Sequence, residues 1–455
     1  MWGEVKDWRQ HWSTRHFFKA IIFGLAFSLY DTGSDFFFAR SVPKVCRGNQ
    51  TPNPCGKMIP KMVELLTYTF IALPGLLLGF SGLQGLATRL TARCCAGQIP
   101  EKLQDVANFL TLLIEVSLTA GLFYAAVFHN DWNKGAPESV FKAYVLCLCS
   151  MSYASATYII GVKALGVFCH GPETKRLVFR ATGAEGRYEA ALQLVLLTTI
   201  FVVSGTLTQE SLQSAMSSIL VMGKVGVESF FNELERDRKL TKASLLGKIF
   251  IAISVLPVFV LTSLFKIGTL GIAFAWDAGE VPGIAPVFLG LALLPPALTI
   301  FLFKTCLRLE DLSVTSISQG IFAELVSLHL WPSRQTGRRI GLGVTIFKVL
   351  LFSCMLVWIL GSVSNELSAS KNFEANLPQA PPEKLKLLQI SSICCLVIGW
   401  LTLPLILGQV FYRDIYIEKL FDNCLNAQED EEQGADIEVE KGETKAMNQE
   451  NEIDE

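Results

Sequence analysis

Ten apolar runs, each 18 residues or longer and separated by segments in which the charges gather, constrain this chain more than any other feature. They lie near 17–39, 62–86, 107–128, 140–161, 188–206, 212–231, 249–274, 286–303, 341–363 and 387–410. A helix of that length rises about 1.5 Å per residue and crosses a hydrocarbon core roughly 30 Å thick. Within such a core the backbone must satisfy its own hydrogen bonds, and for runs of this length that means helices. The expected fold is therefore all-α, a polytopic transmembrane bundle of about ten spans over residues 17–410. A cytosolic amino-terminal segment, 1–16, precedes it, and a cytosolic tail, 411–455, follows. The fifth and sixth runs are the short, polar ones.

The distribution of charge supports this reading. Half of the chain (51%) is hydrophobic and its mean hydropathy is +0.41, while Asp, Glu, Lys and Arg make up 18% and collect between the runs. The start of the chain, MWGEVKDWRQHWSTRHFFKA, is polar and mixed in charge, so the first span is expected to anchor the chain rather than be cleaved as a signal peptide. With the amino terminus inside, 26 Lys and Arg fall in cytosolic segments and 10 in outer loops. This excess predicts cytosolic termini. After about Asp422 the sequence turns acidic and loses its aromatic residues, which predicts a disordered tail.

The first outer loop, SVPKVCRGNQTPNPCGK, contains the acceptor pattern Asn49-Gln50-Thr51 and the cysteines Cys46 and Cys55. A Cys46–Cys55 disulfide is expected in that oxidising compartment, and Asn49 is a glycosylation candidate that Pro52 disfavours. Cys94 and Cys95, beside Arg89 and Arg93 at the cytosolic end of the second span, are either acylated or simply small unmodified residues. Cys147, Cys149, Cys354, Cys394 and Cys395 lie in spans and read as packing residues.

Several polar residues fall inside the runs: Asp31 and Asp35 in the first, Glu115 in the third, Glu189 and Gln193 in the fifth, Lys224 and Glu228 in the sixth, Lys266 in the seventh and Lys348 in the ninth. Each charged one costs roughly 2.5–3.5 kcal/mol to insert, so it must be paired, protonated or solvated. Asp31 and Asp35, four residues apart, share one helix face. Counting from the cytosolic end of each run puts Glu189 and Glu228 within one or two turns of that face, Asp31 past the midplane, and Asp35 and Lys266 near the outer surface. The expectation is a ladder of charges through the depth, suited to a cargo that needs polar contact throughout its transit. The alternative is a set of interhelical ion pairs, such as Asp31 with Lys224 or Lys348.

Asp31-Thr-Gly-Ser-Asp35-Phe-Phe-Phe in the first span is echoed by Lys224-Val-Gly-Val-Glu228-Ser-Phe-Phe in the sixth. Five spans separate them, so either chance or an inverted five-plus-five repeat accounts for the echo. Between Leu312 and Trp331, helical spacing of Ile317, Ile321, Leu325 and Leu328 suggests an interfacial or re-entrant helix.

The D-x-G-x-D pattern of Asp31 to Asp35, with Glu189-Ala-Ala-Leu-Gln193-Leu midway along the chain, resembles the XK and XK-related family of animal membrane proteins. That family has an E-x-x-P-Q-L stretch at the second place, and here Leu192 stands at its proline. VFVLTSLFKIGTLGIAFAW, with Lys266, is similar to the family's later span bearing a basic residue. The resemblance implies cytosolic termini, about ten membrane segments and energy-independent scrambling of phosphatidylserine and other phospholipids. It also implies latency relieved by a partner or by caspase cleavage of the tail, where Asp436 and Asp454 are poor sites.

The leading functional expectation is thus a phospholipid scramblase-like protein of the plasma membrane, with membrane phospholipids as cargo. The alternatives are a secondary or proton-coupled solute transporter, and a non-transporting scaffold that binds a membrane subunit or a cytosolic lipid-transfer protein. A homodimer is compatible with each. No metal-ligand cluster, nucleophile elbow or phosphate-cradling glycine loop is evident, so neither an enzyme nor a cofactor or metal is expected. No basic surface for nucleic acid is visible either.

Overall fold

The structure, a computed structural model, describes residues 20–46, 63–76, 78–79, 138–168, 172–205, 208–236, 245–279, 338–372 and 382–412. All regular structure among them is helical: α1 (Phe27–Cys46), α2 (Val63–Leu76), α3 (Glu138–Phe168), α4 (Pro172–Ala184), α5 (Ala191–Ser204), α6 (Gln209–Arg236), α7 (Leu245–Gly279), α8 (Arg338–Asn372) and α9 (Pro382–Tyr412). Two π-helical segments, Ala20–Ala26 and Glu185–Ala190, lead directly into α1 and α5. The third and eighth apolar runs, the 312–331 stretch and the acidic tail lie outside the described residues.

Four helices contain a stretch long and apolar enough to cross a membrane: Val145–Phe168, Leu256–Trp276, Val349–Ser368 and Leu385–Leu405. Val63–Leu76 and Ala191–Ser204 are apolar but shorter. This set is compatible with an integral membrane protein. α1 and α6 are less apolar because each carries a polar face, and that face is where the site lies.

Sequence chemistry sets several helix ends. Gly205, at φ +67°, closes α5 in the left-handed conformation, and its N–H bonds to the Phe201 carbonyl at 2.8 Å. Three residues on, Thr208 caps α6 by accepting the Ser211 N–H at 3.2 Å. Pro172 and Pro382 begin α4 and α9, where the missing N–H of proline has no helical partner to lose.

The core is built around α7, which packs against α5, α9 and α6, while α8 pairs with α9. Phe265 of α7 meets Phe352 of α8 edge to face, with centroids 6.0 Å apart. Gly399 of α9 lets that helix lie against the Phe265 ring. Gly271 admits α5 closely enough for Thr199 Oγ1 to donate to the Gly271 carbonyl at 3.2 Å. α6 also packs on α1 and on the Glu185–Ala190 segment, bringing together the polar faces of residues more than 150 positions apart.

Several helices outrun the predicted spans, and two of the differences bear on the site. α3 continues beyond the predicted span to Phe168, because Val162 and Val167 keep an apolar face buried past residue 161. The fifth span is the end of a helical run that starts at Pro172. Its first part, α4, is amphipathic, packing Leu177 and Val178 against Ile159 and Val162.

A buried carboxylate triad between α1, α5 and α6

α1 is inside out by the standards of a water-soluble helix. It buries Ser28, Asp31, Thr32, Ser34 and Asp35, while Leu29, Tyr30 and Phe37 are 50%, 53% and 67% exposed. α6 repeats the arrangement: Ser211, Ser214, Ser217 and Ser218 are buried, whereas Leu212, Met216 and Leu220 face outward. In lipid this is the stable arrangement, because the bundle interior is where polar groups find partners.

The two polar faces meet as a hydroxyl-lined seam. Ser214 Oγ donates to Asp35 Oδ1 at 2.5 Å, and the hydroxyls of Ser34 and Ser217 are 2.8 Å apart. Ser34 also donates to the Asp31 carbonyl at 2.8 Å. Glu189, carried by the π-helical segment, enters from the third side. One carboxylate oxygen from each of Asp31, Asp35 and Glu189 lies within 4.8 Å of the other two, and the three residues are 0%, 0% and 3% exposed.

Little compensates these groups locally. Ser217 faces Asp31, yet neither Asp31 carboxylate oxygen has a well-formed hydrogen bond among the described residues, and the same is true of Asp35 Oδ2 and Glu189 Oε1. Gln193, one turn beyond Glu189, is fully buried, and neither amide atom has a partner among the described residues. Two ionised carboxylates at such a separation repel by roughly 3–4 kcal/mol at an effective dielectric of about 20. Protons on the carboxyls would relieve that repulsion.

The expected separation in depth is corrected for three of the residues. Asp31, Asp35 and Glu189 occupy one level, although counting residues had put Glu189 near the cytosolic face and Asp35 near the outer one. The count began at the first strongly apolar residue. The helices begin elsewhere, since α1 runs on to Cys46 and the helix containing Glu189 starts sixteen residues before the predicted span.

The other predicted residues are dispersed. Lys224 and Glu228 approach one another at 3.9 Å along α6, 21% and 38% exposed, and the Lys224 charge also acts on Asp31. Lys266 is buried in α7 at 2% exposure, and Lys348 lies within α8. Cys46 ends α1, while its expected partner Cys55 lies outside the described residues, as do Asn49, Cys94, Cys95 and Glu115.

Two charged residues just outside the predicted spans belong to the same interior. Lys163 of α3 and Glu185 of the π-helical segment form an ion pair, 3% and 2% exposed, with Ser28 of α1 between them. The signal for Lys163 was the apolar pattern that continues to Phe168. No family model, curated protein or solved structure matches this chain.

Proposed function

We propose that this chain is a polytopic membrane protein of the lipid-scrambling kind, moving phospholipids such as phosphatidylserine between leaflets without an energy source. One observation carries the reading: α1 and α6 present carboxylates and hydroxyls to each other and apolar side chains outward. Separating these two helices would open a hydrophilic wall flanked by lipid-facing surfaces. A headgroup could follow such a wall while its acyl chains stayed in the bilayer. Two side-chain hydrogen bonds, Ser214 to Asp35 and Ser34 with Ser217, join the polar faces, and each such bond contributes only about 0.5–1.5 kcal/mol net. The enclosed triad corresponds to the closed state. The remaining spans, to about ten, the five-plus-five repeat, the cytosolic termini and the plasma-membrane location belong to the same proposal.

A second reading, a proton- or cation-coupled transporter, is favoured by the convergence of three carboxylates at one level, as expected of a discrete binding site. Purified protein in liposomes separates the two. Scrambling predicts exchange of fluorescent phospholipids without an ion gradient, and its loss in Asp31→Asn/Asp35→Asn. Uptake of a solute that requires a proton or cation gradient, with no lipid exchange, would replace this reading with the transporter. If neither flux occurs and a stoichiometric partner copurifies, the scaffold reading stands instead.

A further inference from the structure

The ion pair of Lys163 and Glu185 lies close to the carboxylate triad and draws on two of the same elements. Ser28 Oγ donates to Glu185 Oε1 at 2.5 Å and accepts from Lys163 Nζ at 3.0 Å, so α1, α3 and the π-helical segment are joined at one point. On α1, Ser28 and Asp31 are three residues apart. On the π-helical segment, Glu185 and Glu189 are four apart. Each spacing returns to about the same helix face one turn later. The present partners of Lys163 are therefore followed, one turn on, by Asp31 and Glu189, whose oxygens Asp31 Oδ1, Asp31 Oδ2 and Glu189 Oε1 are unpartnered among the described residues. The Lys163 charge already acts on both residues.

An ammonium fits the second position. The facing carboxylate oxygens are within 4.8 Å of one another, and a group making two charge-assisted contacts of about 2.8 Å can bridge oxygens up to roughly 5.6 Å apart. One turn is about 5.4 Å, a distance within the sweep of lysine's flexible four-carbon stem. Of the other charged groups around the triad, Lys224 also acts on Asp31. Asp35 is bonded to Ser214, Lys224 is partly solvated beside Glu228, and Arg180 of α4 is exposed.

We propose that Lys163 is a two-position latch. It pairs with Glu185 and Ser28 while the triad of Asp31, Asp35 and Glu189 is protonated, and it moves onto Asp31 and Glu189 when those protons leave. The move breaks the junction of α1, α3 and the π-helical segment at Ser28 and forms another a turn away. Because Ala20–Ala26 packs on α3, the charge state of the triad is passed to the start of α1. The latch does not depend on what the protein transports.

Glu185→Gln tests it by weakening the first position at constant size. In full-length protein in nanodiscs, a cryo-EM map of this variant should place Lys163 Nζ within about 3.2 Å of an Asp31 or Glu189 oxygen. The thermal midpoint should fall only slightly. Adding Asp31→Asn and Glu189→Gln should then strand the ammonium and at least double the loss, and Lys163→Met should restore it. Lys163 remaining on Ser28 and Gln at 185, or a full loss from Glu185→Gln alone with none added by the two neutralisations, would overturn the latch. Should Glu185→Gln not fold, Ser28→Ala removes only the hydroxyl and carries the same map criterion.

Discussion

Ser214 of α6 donates its hydroxyl to Asp35 of α1 at 2.5 Å across 179 positions of sequence, and the contact is fully buried on both sides. It is the shortest described link between the two polar faces. Ser214→Ala leaves Asp35 without that donor in a dry setting, a change that costs about 1–3 kcal/mol. Ser218→Ala, one turn along, removes a buried hydroxyl that has no partner among the described residues and should leave stability unchanged or raise it. Thermal unfolding of the two variants in detergent, compared with the parent, checks the contrast. Equal losses would show that the hydrogen bond contributes nothing specific.

Ser34 and Ser217, with hydroxyl oxygens 2.8 Å apart, offer a way to fasten the seam. Ser34→Cys/Ser217→Cys should form a disulfide under oxidising conditions and stop lipid exchange in liposomes, with recovery on reduction. Exchange that continues through the oxidised variant would place the lipid route elsewhere.

Neutralising the triad should remove repulsion without removing packing. Asp31→Asn/Asp35→Asn/Glu189→Gln is expected to fold with a thermal midpoint equal to or above the parent's under conditions without divalent cations. Its lipid exchange should fall at least tenfold. A destabilised but active variant would reverse both halves of that expectation.

Gly186 sits in the π-helical segment where a Cβ would come within 2.6 Å of Val225 Cγ2 on α6. Gly186→Ala should therefore destabilise by about 1–3 kcal/mol through overpacking. Val225→Ala in the same chain should recover most of the loss, because it clears the one side chain in the way. Unfolding midpoints of the two single variants and the double variant decide this.

Thr208 caps α6 through the Ser211 N–H and also meets the Ser211 hydroxyl at 2.7 Å. Thr208→Ala should cost about 1 kcal/mol, and Thr208→Asp, which keeps an acceptor, much less. Hydrogen exchange of the first turn of α6 would report the difference locally.

The sequence by itself determined the helical character of the chain, the rough positions of most described helices, and the identity of Asp31, Asp35, Glu189 and Gln193 as polar groups within apolar runs. These follow from local rules. Apolar length prescribes a helix, and a spacing of four puts two side chains on one face wherever the helix goes. The tertiary structure alone decided the level at which those groups meet. Depth counted along each run set Glu189 apart from Asp31 and Asp35, which it meets, since helix starts are set by packing, as where α4 rests on α3, and not by the first apolar residue. Lys163 and Glu185 fall just outside the fourth and fifth apolar runs. Only the pairing of α3 with the π-helical segment, which takes both out of water together, makes them interior residues.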